Sequence, residues 1–226
     1  MECYCYETES DFIFCVQNVK NTQLADSIQH MGWEKSNDKF LMSCPQREFS
    51  NQSEKELINK NFARLGQEMF ETLLWGSNWK KPLELLAKKF NENGIEWYIV
   101  GSLSDAVRGV NVKPHDMDIV IHTRDYWKAK DICYLNFYDT VILPFAHNQG
   151  RFAMPYFGRM FLAGALVEIA GNEKWNFENR QPKYEKTLWN GYDVYMDSLQ
   201  LRYEIEIARN REDRINAIKE YMNQKK

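Results

Sequence analysis

Ile95-Glu96-Trp97-Tyr98-Ile99-Val100-Gly101-Ser102 and Asp116-Met117-Asp118-Ile119-Val120-Ile121-His122 decide the fold of this chain. The first is an apolar strand that runs into a Gly-Ser turn, after which Ser104-Asp105-Ala106-Val107-Arg108-Gly109 is expected to open a short helix. Gly101 has no Cβ, so the backbone there can come close to a phosphate. In the second strand the side chains alternate, so Asp116 and Asp118 leave one face while Met117 points to the other. Two carboxylates on one side of a strand suit divalent cations. Upstream, Pro82 stands in the first turn of an expected helix that carries Leu83, Leu86, Ala87 and Phe90 on one face. The ordered set of helix, strand, Gly-Ser, short helix and Asp-X-Asp strand restricts the fold far more than an Asp-X-Asp alone.

That set points to a particular chemistry. Moving a nucleotidyl group concentrates negative charge on the phosphorus oxygens and on the departing pyrophosphate, and paired hard cations offset that charge at both ends. Magnesium takes oxygen ligands and keeps waters, so two or three carboxylates and the substrate phosphates suffice. A third acid belongs on a neighbouring strand. Glu168, inside the apolar run Leu162-Ala163-Gly164-Ala165-Leu166-Val167-Glu168-Ile169-Ala170, is the candidate.

At these residues the chain resembles the nucleotidyltransferase superfamily that shares the DNA polymerase beta fold, in particular its small bacterial members, which include antibiotic adenylyltransferases and minimal nucleotidyltransferases. Gly101-Ser102 matches the Gly-Ser motif, Asp116-Met117-Asp118 the Asp-X-Asp strand and Glu168 the third carboxylate. The segment from Ser198 to Ile218 is similar to the closing helices of those enzymes. The resemblance covers roughly residues 82 to 222, whereas residues 1 to 75 have no counterpart in it. It implies an α+β fold built on a polymerase-beta-type mixed sheet with flanking helices. It also implies magnesium-dependent transfer of a nucleoside monophosphate, AMP by default, from a nucleoside triphosphate to an acceptor hydroxyl, with release of pyrophosphate. Two magnesium ions would sit on Asp116, Asp118 and Glu168, with Glu168 serving as ligand or as general base. The acceptor would be a small molecule, an RNA end or a protein side chain. Three departures keep the substrate from carrying over: residues 103 to 115 make a long gap between Ser102 and Asp116, the third acid is Glu, and Lys113-Pro114-His115 precedes the aspartates.

Ser102 and the backbone beside Gly101 are expected to contact the terminal phosphates, and Arg108 or Lys113 to neutralise the leaving pyrophosphate. Arg151 and Arg159 flank an expected hairpin and are candidates to reach the acceptor. His115 is as well explained by a structural role. A non-catalytic module that uses the same fold to hold a nucleotide or a partner is the competing reading.

Ser50-Asn51-Gln52-Ser53 is the best linker in the sequence and divides it into a small α+β unit over residues 1 to 50 and a nucleotidyltransferase domain over 54 to 226. Strands are expected at Tyr4 to Glu7, Asp11 to Asn18 and Lys39 to Ser43, with a helix from Thr22 to Met31. Ile58, Phe62, Leu65, Met69 and Leu73 stripe the next helix, Glu54 to Leu74. Beyond the Asp-X-Asp strand, a helix at Asp125 to Leu135 leads to strands at Thr140 to Leu143, Arg151 to Tyr156 and Arg159 to Ala170, with Gly158 as the hairpin turn. A polar stretch from Asn172 to Lys186, a strand at Tyr192 to Met196 and helices at Ser198 to Ala208 and Glu212 to Asn223 complete the chain.

With 226 residues, 44% of them hydrophobic, the chain is long enough to bury a substantial core. A net charge of −3 argues against broad binding to nucleic acid, although an RNA end needs only a local basic patch. No apolar run approaches the roughly eighteen residues of a membrane helix, and Met1-Glu2-Cys3-Tyr4-Cys5-Tyr6-Glu7 lacks the features of a secretory signal, so a cytoplasmic location is expected. Cysteines at 3, 5, 15, 44 and 133 lack framework or zinc-knuckle spacing and are expected as free thiols. No nucleophile elbow, phosphate-binding Gly-Lys-Ser/Thr loop or dinucleotide fingerprint is present.

Overall fold

The computed structural model describes residues 1–136, 140–147, 156–171 and 184–225. Strands β1 (Glu2–Glu7), β2 (Asp11–Gln17), β3 (Glu34–Ser36) and β4 (Lys39–Pro45) form an antiparallel sheet in the order β1-β2-β4-β3, and α1 (Thr22–His30) packs Leu24 and Ile28 into its core. The Asn21 side chain caps α1 by accepting the Leu24 N–H at 3.1 Å. This is the α+β unit expected at the N-terminus, with β3 as a short addition that closes the hairpin after Trp33.

The expected linker becomes a helix start. Asn51 accepts the Glu54 N–H at 3.0 Å while Glu54 Oε2 accepts the Ser50 N–H at 2.6 Å, a reciprocal cap that launches α2 (Gln52–Trp75). Ile58, Phe62, Met69 and Phe70 of α2 share one apolar cluster with Phe12, Phe14 and Val16 of the small sheet and with Val141, Phe161 and Leu166 of a second sheet. Trp33 and Phe62 stack at 6.0 Å within it. The helix thus holds the N-terminal unit onto the rest of the chain by continuous packing.

The second sheet has the order β10-β11-β5-β6-β9-β8-β7 and mixes parallel and antiparallel pairs, with helices flanking it, as the sequence leads one to expect. Its strands are β5 (Trp97–Val100), β6 (Asp116–Ile121), β7 (Val141–His147), β8 (Tyr156–Leu162), β9 (Ala165–Gly171), β10 (Tyr184–Trp189) and β11 (Tyr192–Asp197). On one face, Ile99, Met117, Ile119, Ile121, Val167, Ile169 and Met196 are buried under α3 (Lys80–Glu92) and α5 (Tyr126–Asn136). Leu83, Leu86, Ala87 and Phe90 are the buried stripe of α3. The helix α4 (Gly101–Arg108) follows β5 directly, and α6 (Leu199–Ala208) and α7 (Glu212–Gln224) close the chain.

Two sequence expectations are corrected here. Gly158 is not a turn but lies inside β8 opposite Ile169, and the hairpin between β8 and β9 turns at Ala163-Gly164, both at positive φ. The expected single strand from Arg159 to Ala170 is therefore two. The polar stretch ending at Lys186 runs into an edge strand, β10, joined to β11 by Asn190-Gly191. The strand expected at Arg151 to Tyr156 lies, apart from Tyr156, outside the described residues.

All five cysteines are free. Burial pushes the Cys3 and Cys44 thiols up to about 12, so they pack as apolar groups and stay protonated. Among the described residues no helix is long and apolar enough to cross a membrane.

Candidate active site

The site lies on the second face of the large sheet, where α2 and the N-terminal unit cover one end and leave the other open. Register sets its geometry. In the parallel pair β6/β9, Asp118 stands opposite Glu168, and in the antiparallel pair β5/β6, Val100 stands opposite Asp118. Asp116, two residues earlier on the same face, completes the cluster: one oxygen from each of Asp116, Asp118 and Glu168 lies within 4.8 Å of the others. Hard oxygen donors at this separation fit a divalent cation such as magnesium, which takes carboxylates, waters and phosphate oxygens.

The electrostatics fit a cation site too. Burial raises the Asp118 carboxyl well above its ordinary range, and the Asp116 and Glu168 carboxylates add to the effect. Burial followed by Glu168 raises Asp116 in the same direction. Among the described residues, Arg159 bonds this cluster directly: its Nε donates to Glu168 Oε1 at 2.6 Å, while its Nη1 donates to the Met31 carbonyl at 3.0 Å.

Gly101 is required twice over. Its φ of +68° is left-handed, and a Cβ there would fall 2.6 Å from Asp118 Oδ2. The turn sets the start of α4 beside the carboxylates, with the Gly101 N–H bonded to the Asp197 carboxylate and the N–H groups after it at the positive end of the helix. Ser102 lines the same cleft. His115 lines it as well, with Nδ1 bonded to the Leu73 carbonyl at 2.7 Å, so that α2 orients the ring.

The other sequence candidates lie elsewhere. Arg108 donates to the Glu185 carboxylate at 3.0 Å, to the Ser104 carbonyl at 3.2 Å and to the Asp197 carbonyl, and ties α4 to the edge of the sheet. The Lys113 side chain lies over Gly76. Neither lines the cleft with the carboxylates. Arg151 lies outside the described residues.

Lining the cleft with Asp116 and Asp118 are four residues the sequence reading did not single out: Arg202, Arg209, Arg211 and Arg214, from α6, the turn after it and the first turn of α7. Arg202 is buried and fixed, with Nη2 at 3.1 Å from Asp105 Oδ2 and a further bond to Glu206. Arg209 and Arg211 are exposed and Arg214 is half-buried. A density of arginine between 202 and 214 in a chain of net negative charge is the signal for them in the sequence. The cleft opens past Asp118 into a cavity of about 290 Å³ lined by Val100, Val120, Phe157, Ala170, Asp197 and Ile205.

No protein-family model and no curated protein sequence matches the chain. Solved structures that resemble it include a Thermotoga maritima protein described as a candidate nucleotidyltransferase, 21% identical, covering 65% of this chain and 93% of that one at a TM-score of 0.44. An antigenic nucleotidyltransferase-like protein from Paracoccidioides brasiliensis is 18% identical, with 63% and 77% covered and a TM-score of 0.44. The lincosamide antibiotic adenylyltransferase LnuA, bound to lincomycin, is 11% identical, with 62% and 96% covered and a TM-score of 0.45.

Proposed function

We propose that this chain is a magnesium-dependent nucleotidyltransferase that moves a nucleoside monophosphate, AMP by preference, from a nucleoside triphosphate to an acceptor hydroxyl. The observation that carries the proposal is a cleft lined by Asp116 and Asp118 together with Arg202, Arg209, Arg211 and Arg214, with Glu168 clustered beside the two aspartates. Cations held by the carboxylates and a polyphosphate held by the arginines are mutually compensating charges.

Asp116, Asp118 and Glu168 would hold the magnesium, which supplies charge neutralisation at the phosphate oxygens. Ser102 and the N–H groups of α4 that follow Gly101 bind phosphate oxygens, and Arg209, Arg211 and Arg214 hold the β- and γ-phosphates. Arg108 contributes by keeping α4 and β11 in place. In the reaction the acceptor oxygen forms a bond to the α-phosphorus, the bond to the pyrophosphate oxygen breaks, and pyrophosphate leaves against the arginines. Arg159 occupies Glu168 Oε1, which leaves Oε2 for the ion or for the proton of the attacking hydroxyl. The division into a unit over residues 1 to 50 and a catalytic domain over 54 to 226 belongs to the same reading, as does a cytoplasmic location, which suits free thiols. The acceptor is a small molecule, an RNA end or a protein side chain.

Thermal unfolding of the wild type and of Asp118→Asn with ATP, GTP, CTP and UTP, with and without magnesium, tests the proposal. A magnesium-dependent rise in Tm that the variant loses supports it and names the donor. Nucleotide binding that ignores both magnesium and Asp118 favours a non-catalytic binding module.

A further inference from the structure

Asp197 ends β11 beside Gly101 and is only 2% exposed. The Gly101 N–H bonds its carboxylate, yet Oδ1 is buried with no hydrogen-bond partner among the described residues. Arg202, which lies nearby, directs Nε and Nη2 to Asp105 and Glu206 and makes no hydrogen bond to Asp197 Oδ1. A buried ionised acceptor left without a donor is costly, and a ligand donor that completes it is correspondingly well bound. Burial also pushes this carboxyl up to about 6, the direction expected of an under-solvated carboxylate.

Asp197 lines the cavity of about 290 Å³, whose other walls are largely apolar. That cavity and the arginine-lined cleft share Gly101, Asp118, Arg202 and Arg209, so one ligand can run through both past Asp118. With phosphates among the arginines and the α-phosphate at the carboxylates, the next part of a nucleotide to enter the cavity is its sugar. Carboxylates accept hydrogen bonds from ribose hydroxyls in other nucleotide sites for the same chemical reason.

We propose that Asp197 Oδ1 accepts a hydrogen bond from a ribose hydroxyl of the bound nucleotide, making the site selective for ribonucleoside over deoxyribonucleoside triphosphates. The proposal rests on the function given above. Calorimetry in magnesium with ATP, GTP, CTP and UTP, followed by the 2′-deoxy and 3′-deoxy forms of the tightest binder, tests it on the wild type, Asp197→Ala and Asp118→Asn. The wild type is expected to lose about tenfold or more in affinity with one deoxy form, and Asp197→Ala to lose as much with the ribonucleotide and to make no further distinction. Asp197→Asn keeps the volume and replaces the ionised acceptor with a neutral one, so it narrows the distinction if the alanine variant does not fold. Tight binding that depends on Asp118 but treats ribo and deoxy forms alike, or a distinction that survives in both Asp197 variants, overturns the role of Asp197 alone. Absence of magnesium-dependent binding by every triphosphate overturns the underlying function and this role with it.

Discussion

Arg159 and Glu168 face each other across the β8/β9 pair with Nε and Oε1 2.6 Å apart, and the same guanidinium reaches the C-terminal end of α1 in the N-terminal unit at the Met31 carbonyl. One side chain therefore joins the small unit to the carboxylate cluster. Both partners are largely buried, so removing the cation leaves Glu168 beside two further carboxylates without its bonded counter-charge, and the arginines of the closing helices remain to offset the cluster. Arg159→Gln is expected to cost roughly 3 kcal/mol in urea denaturation, the low end for breaking a buried pair. Magnesium with nucleotide should recover part of the loss by supplying the missing charge. An unchanged midpoint without metal would remove the pair from the list of contacts that hold the site.

Gly101→Ala forces a side chain into left-handed backbone and toward Asp118 Oδ2, 2.6 Å away. The backbone alone costs about 1–2 kcal/mol, a modest fraction of a domain's stability. Displacing Asp118 affects the site much more. The variant should fold and melt as one transition, yet show no magnesium-dependent shift with nucleotide. A normal shift would mean that Asp118 is free to move without consequence.

Asp116 and Asp118 are both raised above the ordinary carboxylate range, first by burial and then by one another or Glu168. A carboxyl raised in the folded state stabilises the metal-free protein most at low pH and loses that contribution as pH rises through its folded value. Magnesium competes with those protons. The expected outcome is a stabilisation by magnesium and nucleotide that shrinks as pH falls, with protons released on binding. Calorimetry in two buffers of different ionisation enthalpy counts them, and equal heats in both would refute the coupling.

Arg211 and Arg214 reach the cleft from the first turn of α7 and its cap and carry little of the core. Replacing either with alanine should weaken triphosphate binding by about tenfold, the scale of one charge-assisted hydrogen bond, with the ligand-free melting temperature unchanged for Arg214→Ala and slightly lowered for Arg211→Ala, whose Nη1 lies 3.7 Å from the buried Glu206 carboxylate. Raising the salt concentration should weaken the wild type more than either variant. Equal salt dependence would place the phosphates elsewhere.

The strand from Asp116 was legible because period-two alternation sets the carboxylates on one face and Met117 and Ile119 in the core, and burial follows that alternation. Glu168 was legible as the lone acid in an apolar run. The β8/β9 turn was not, because Ala163 at a φ of 47° gives no left-handed signal, while Gly158 offers one that packing inside the strand absorbs. Asn190-Gly191 is a strong two-residue hairpin signal, but the charged residues of β10 make it look like solvent-facing loop. The arginines of the closing helices resemble a solvated face until the chain brings them opposite the carboxylates, a long-range pairing that local pattern does not encode. Arg159 was a candidate for reaching the acceptor, and its bond to Glu168 depends on the β8/β9 register, which the sequence pattern did not show.

Asp197 lends itself to a sign test independent of any ligand. Its carboxyl is pushed from an ordinary 3.8 to about 6 by burial, against the opposing pull of Arg202 and the Gly101 N–H. The folded state then binds this proton more tightly than the unfolded chain does, so the residue favours folding below about pH 4 and costs stability above pH 6. A shift of about two units corresponds to at most about 3 kcal/mol. Asp197→Asn keeps the shape without the charge, and is expected to melt above the wild type at pH 7 to 8, with the gain fading as pH falls through 6 and gone near 4. Parallel melting curves across that range would mean that Oδ1 is solvated in solution, and would withdraw both the strain assigned to it and the donor it awaits.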